Sequence, residues 1–131
     1  MSRVQLALNV ADLDESIEFY TKLFRVPPAK VREGYANFAI ADPPLKLILF
    51  AGGGEPGSLN HLGVEVETAE EVAAATARAA DADLAHEVQD GTTCCFALQD
   101  KVWVEGPDNA WEFYTVLADA PTMSCDVTCC G

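Results

Sequence analysis

An α+β fold built from two copies of one βαβββ module is predicted by three features of the 131-residue chain. First, a strand followed by a capped helix occurs twice, and the two occurrences are offset by the same 56 positions at both the strand and the cap. Second, each helix is followed by apolar strand material broken by proline and glycine turns. Third, a glycine-rich stretch, Gly52-Gly53-Gly54-Glu55-Pro56-Gly57, stands between the halves as a linker or as a loop at a pocket mouth.

In order, Val4 to Val10 reads as a strand, and Asp12-Leu13-Asp14-Glu15 offers a helix cap with an acid three residues on. The first helix carries Leu13, Ile17, Tyr20 and Phe24 along one stripe. Strands are predicted over Tyr35 to Ile40 and Leu45 to Phe50, with Pro43-Pro44 between them. In the second half Leu62 to Val66 is the strand and Thr68-Ala69-Glu70-Glu71 the capping box, ahead of an alanine-rich helix from Val72 to Ala80. Strands over Cys94 to Leu98, Val102 to Val104 and Trp111 to Leu117 complete the copy, with Gly106-Pro107-Asp108-Asn109 as a turn. The prediction is one domain over residues 1–118, with modules at about 1–51 and 59–118 and a flexible cysteine-containing tail over 119–131.

Composition narrows the function classes. Half the residues are apolar, enough for an ordinary globular core. The net charge of -13 and pI near 4.2 repel phosphate backbones and anionic lipid, so neither nucleic acid nor membrane is an expected partner. No apolar run suits a signal peptide or a membrane span. Five cysteines, two adjacent and three in the last seven residues, are a poor disulfide framework, and a reducing cytoplasm is the expected location. The glycine-rich linker lacks the lysine and the strand-to-helix placement of a phosphate loop.

Two constellations carry chemistry. Cys94 and Cys95 follow Gly91-Thr92-Thr93, and adjacent thiols can meet one ligand only where the backbone departs from strand geometry. Thiolates favour soft ions such as cadmium, copper(I) or a trivalent metalloid; the alternative is a pair of small hydrophobes at a strand start. Substrate capture by these thiols calls for a flexible, accessible loop. The second constellation follows from strand parity. Val4, Leu6, Leu8 and Val10 form the face that packs on helices, leaving Gln5, Ala7 and Asn9 opposite. Leu62, Val64 and Val66 do the same in the second copy, leaving His61, Gly63 and Glu65. Gln5 and His61 therefore occupy equivalent positions. Glu112, inside an otherwise apolar strand, must be solvated, hydrogen-bonded or bound to a cation. Gln5, His61 and Glu112 together offer oxygen and nitrogen donors for a divalent first-row metal with positions left open. They equally fit a strand-end histidine, a solvated glutamine and an edge carboxylate. His86 reads as a surface residue and spare ligand.

These residues resemble the vicinal oxygen chelate superfamily, the glyoxalase and extradiol dioxygenase fold. The segments Val4-Gln5-Leu6-Ala7-Leu8-Asn9-Val10, Gly34-Tyr35-Ala36-Asn37-Phe38-Ala39-Ile40, Leu59-Asn60-His61-Leu62-Gly63-Val64-Glu65-Val66 and Thr92-Thr93-Cys94-Cys95-Phe96 are similar to the ArsI/CadI family within it, as is Asp100-Lys101-Val102-Trp103-Val104. The resemblance implies a non-haem Fe(II), dioxygen-dependent carbon-arsenic lyase that cleaves trivalent organoarsenicals, methylarsenite and aromatic arsenicals among them, to arsenite. Gln5, His61 and Glu112 match its metal ligands, and Cys94 with Cys95 its arsenic-binding pair. Lys101 falls in a family-like segment but reads as a strand-edge lysine. Cys125, Cys129 and Cys130 read as a thiol-bearing tail that captures a thiophilic species. The alternatives are a cadmium- or metalloid-binding resistance protein without catalysis, and another glyoxalase-like metalloenzyme. A homodimer is a further expectation, because paired modules can close within one chain or across two.

Overall fold

The computed structural model describes residues 2–121, with the side chain of Cys94 left out, and the tail cysteines Cys125, Cys129 and Cys130 lie outside the described residues. The chain divides into two compact units whose boundary falls between Leu62 and Gly63.

The first unit, Arg3–Leu62, holds β1 (Arg3–Val10), α1 (Leu13–Phe24), β2 (Lys30–Arg32), β3 (Tyr35–Ile40), β4 (Leu45–Ala51) and the start of β5 (Leu59–Glu65). Its strand order is β2-β3-β4-β1-β5. β1 runs parallel to β4, which the intervening helix makes possible, while β2, β3 and β4 form antiparallel hairpins. Asp12 caps α1 by accepting a bond from the Glu15 N–H at 3.0 Å, and Arg25 closes it in the left-handed region with φ 60°. The period-2 alternation separates the faces cleanly. Ala36, Phe38, Ile40, Leu47 and Leu49 form a buried cluster against which Leu6, Leu8, Val10, Leu13, Ile17, Tyr20 and Phe24 pack, as the helix stripe and strand parity predict.

The second unit continues β5 and adds α2 (Ala69–Asp81), β6 (His86–Cys94), β7 (Ala97–Glu105) and β8 (Ala110–Asp119), in the order β5-β8-β7-β6. This order repeats that of the first module. Thr68 caps α2 by accepting from the Glu71 N–H at 3.2 Å, and the Glu71 carboxylate reaches back to the Glu67 N–H. Val66, Val72, Ala75 and Val102 are the core here, with Val64, Val104 and Phe113 packed on it.

Three strands differ from expectation. β2 was not anticipated, being short and largely polar. β6 was not anticipated either: its His-Glu-Val-Gln-Asp-Gly-Thr-Thr sequence lacks a buried apolar stripe, and as the last strand in the order it is defined by its ladder to β7. The predicted strand from Cys94 to Leu98 is interrupted, because the chain reverses at Cys95-Phe96 between Cys94 and its partner Ala97.

Candidate functional site

On β1 the non-helix face is the more deeply buried one. Gln5, Ala7 and Asn9 of β1 are buried, as are Asn37 of β3 and His61 of β5. Three amides and an imidazole removed from water require partners, because an unpaired buried polar group costs about 1–3 kcal/mol. Gln5 and His61 meet: Gln5 Nε2 lies 3.1 Å from His61 Nε2. The other ring nitrogen, Nδ1, is 2.8 Å from the Asn60 Oδ1. Phe50 flanks the imidazole, with ring centroids 6.3 Å apart. Two nitrogens with separate tasks, one engaged by an amide oxygen and one turned to a second potential ligand, form the arrangement in which metal-binding histidines are held. The solvated-glutamine alternative does not hold, since Gln5 is 2% exposed.

The second unit holds Glu112 on β8, 3% exposed, and it is paired with a cation: Lys101 Nζ donates to Glu112 Oε1 at 2.6 Å. Lys101 lies on β7, between β6 and β8, and is 1% exposed, so it is not the strand-edge lysine its sequence context implied. The register explains the pair. Trp103 stands opposite Glu112 and Lys101 opposite Tyr114, so Lys101 and Glu112 are diagonal neighbours on one face. The ammonium also lies 5.6 Å from the Trp103 ring centre and 5.8 Å from that of Tyr114. Tyr114 OH donates to Glu65 Oε1 at 3.4 Å. No cluster of three or more His, Cys, Asp and Glu occurs among the described residues, a count that leaves out amide donors such as Gln5.

The thiol segment departs from strand geometry at two points. Gly91 has φ 59° beside a register shift between Gln89 and Thr92, and its N–H donates to Asp100 Oδ1 at 2.7 Å. Cys94 is the final residue of β6, and Cys95 and Phe96 both have positive φ, 50° and 64°. That is a two-residue hairpin of the kind that favours Asn-Gly; placing non-glycine residues there costs roughly 1–2 kcal/mol each. The expected flexible, accessible loop is instead a tight turn with Cys95 7% exposed. Cys95 is disulfide-bonded. An odd number of cysteines argues against a fully paired framework but permits a single bridge. His86 is exposed and its Nδ1 lies 2.8 Å from the Leu84 carbonyl oxygen, a surface role as expected.

The comparisons agree with this architecture. Residues 3–114 match the family model described as Glyoxalase/Bleomycin resistance protein/Dioxygenase superfamily. Cadmium-induced protein CadI of Mycobacterium tuberculosis (strain ATCC 25618 / H37Rv) is 62% identical over 124 residues, 94% of this chain and 82% of that protein. A trivalent organoarsenical cleaving enzyme of Thermomonospora curvata is 56% identical over 134 residues, covering 99% of this chain and 89% of the relative. Among solved structures, the Mn(II)-bound glyoxalase from Novosphingobium aromaticivorans superposes with a TM-score of 0.64 at 15% identity, over 95% of this chain and 43% of that one. An extradiol ring-cleaving dioxygenase from B. fuscum gives 0.63 at 21%, over 90% and 33%. At such identities these two speak for the fold alone. The repeated βαβββ topology, the match along residues 3–114 and the relatives at 56% and 62% identity together make this chain a member of the glyoxalase/bleomycin resistance protein/dioxygenase superfamily, in the family of CadI and the trivalent organoarsenical cleaving enzymes.

Proposed function

We propose that the chain is a carbon-arsenic lyase that cleaves trivalent organoarsenicals, methylarsenite and aromatic arsenicals among them, to arsenite, using Fe(II) and dioxygen in the cytoplasm. The observation that supports the reading is the buried Gln5–His61 pair, in which an amide and the Nε2 of an otherwise anchored imidazole face one another at 3.1 Å. Gln5, His61 and Glu112 would hold the metal, an oxygen and nitrogen set that suits iron(II). When bound, iron supplies the activation of dioxygen. Cys94 and Cys95, as thiolates, bind trivalent arsenic by its softness and so orient the carbon-arsenic bond without a pocket fitted to the organic group. Lys101 neutralises Glu112 until a cation takes that role, its Nζ donating to Oε1 at 2.6 Å. Reductant is part of the working state, since Cys95 must be released from its disulfide before it can bind arsenic.

The second reading, a cadmium- or metalloid-binding resistance protein without turnover, is favoured by the 62% identity to a protein named for cadmium induction. One assay separates the two. With Fe(II), dioxygen and reductant, methylarsenite becomes arsenite; His61→Ala loses turnover but keeps arsenical affinity, whereas Cys95→Ser loses both. Tight arsenical binding with unchanged arsenic speciation at full iron occupancy in air would establish the binding reading instead.

A further inference from the structure

The His61 imidazole stands at the end of a hydrogen-bonded series that starts at a backbone carbonyl. Ser58 Oγ is 2.6 Å from the Glu55 carbonyl oxygen, which can only accept, so the hydroxyl proton points there. The same oxygen is then the acceptor for the Asn9 amide nitrogen, Nδ2, at 2.9 Å. With its NH₂ committed, Asn9 presents Oδ1 on its other side, 2.9 Å from Asn60 Nδ2. Asn60 in turn presents Oδ1 to His61 Nδ1 at 2.8 Å. Each group has one orientation that satisfies both neighbours, so the fixed role of the Glu55 carbonyl passes through Ser58, Asn9 and Asn60 to the ring: Nδ1 carries the proton and Nε2 carries the lone pair.

The series is built firmly. Asn9 is 4% exposed, and its backbone N–H donates to the Ser58 carbonyl while its own carbonyl accepts from the Gly57 N–H, at 2.9 and 2.8 Å. A Cβ at Gly53 would meet Asn9 Oδ1 at 2.8 Å and one at Gly54 would meet Asn9 Nδ2 at 2.8 Å. The glycine-rich stretch is thus a cradle for the Asn9 carboxamide, which a side chain at either position would displace. Gln5 Nε2 at 3.1 Å from Nε2 agrees from the other end, as an amide N–H donating to that lone pair.

We propose that Asn60, backed by Asn9 and Ser58, is a positioning residue that holds neutral His61 as the Nδ1–H tautomer and so keeps Nε2 as the ligating nitrogen. The assignment deepens the metal-site reading and rests on it only for the purpose of the tautomer, not for its existence. A metal-ligating histidine loses about 10–100-fold in affinity when the group that orients its other nitrogen is removed.

The test uses the full-length, metal-free protein with ¹⁵N-labelled histidine. The chain has 2 histidines, so a His86→Ala control assigns the ring signals. Long-range ¹H–¹⁵N spectra above the imidazole titration should show protonated Nδ1 and unprotonated Nε2 in the parent. Asn60→Ala should give mixed tautomers and weaken anaerobic Fe(II) binding about 10–100-fold, while Asn60→Asp, which keeps the acceptor, should restore the Nδ1–H signature. Arsenical binding at the thiols should be unmoved in both. A parent with the Nε2–H tautomer, or an Asn60→Ala variant with unchanged ring shifts, overturns the proposal. Asn60→Asp and the parent keep the comparison decisive if Asn60→Ala is poorly folded. If the tautomer behaves as stated yet the parent binds no Fe(II), the positioning role stands and the iron reading falls.

Discussion

At the residue scale, the buried Lys101–Glu112 pair is the feature with the clearest energetic consequence. Two charges 1% and 3% exposed are held against each other at 2.6 Å, and removing one leaves the other's charge buried without its ion-pair counterpart. In metal-free protein, Lys101→Met or Glu112→Leu alone should lower stability by about 3–5 kcal/mol, and the double variant should recover most of that loss. Urea denaturation of the four proteins checks it; equal and additive losses would mean the two charges do not act as a pair. Exposed pairs behave differently. Glu18 accepts from Lys22 at 2.9 Å on the outer face of α1, and that hydrogen bond, with the lysine charge, holds its carboxyl below the usual range. A depressed carboxylate stabilises the fold above its unfolded titration, and the benefit is lost as pH falls through the folded one. Glu18→Gln should therefore lower neutral stability slightly and leave acid stability unchanged, flattening the acid limb of the profile, as thermal melts across pH will register.

At the element scale, caps and turns give the sharpest expectations. Thr68 satisfies the first turn of α2, and Thr68→Ala should cost about 1 kcal/mol, readable as a lowered urea midpoint with unchanged slope. The β6–β7 hairpin runs the other way. Cys95 occupies a left-handed position that asparagine tolerates better, so in reductant Cys95→Asn should leave the protein at least as stable while abolishing arsenical capture. A stable variant that still binds the arsenical as tightly would remove Cys95 from the site. The turn thus joins a local backbone cost to a chemical requirement, which is where strained positions commonly gather.

At the scale of the whole molecule, the charge of -13 is the dominant global property. Self-repulsion opposes the folded state and is screened by salt, so the melting temperature should rise between about 10 and 150 mM NaCl, over which the Debye length shortens from about 30 to 8 Å. A melting temperature that falls over this range would show that attractive surface pairs outweigh the net repulsion. The acidic surface is compatible with a small substrate delivered to buried donors, and the described residues include no helix long and apolar enough to cross a membrane.

The sequence alone determined the repeat, both helix caps, the apolar stripe of α1 and the parity that sets Gln5 and His61 on equivalent faces, because each is a local periodicity or a fixed spacing. The polar edge strand β6 escaped it, since pairing with β7 rather than an apolar stripe defines that strand. Tertiary structure alone decided how deeply the polar faces are buried and which donor meets which acceptor. Parity states that Lys101 and Glu112 share a face only once the β7–β8 register is known, and a slip of one residue would reverse it. Likewise Asn9 and Asn60 are far apart in the chain and ordinary in sequence; only the placement of β1 beside β5 brings Asn9 to Asn60, whose Oδ1 meets His61. A pattern of residue types records which side of an element is wet or dry, whereas the orientation of an amide or the tautomer of a ring is set by contacts between distant segments.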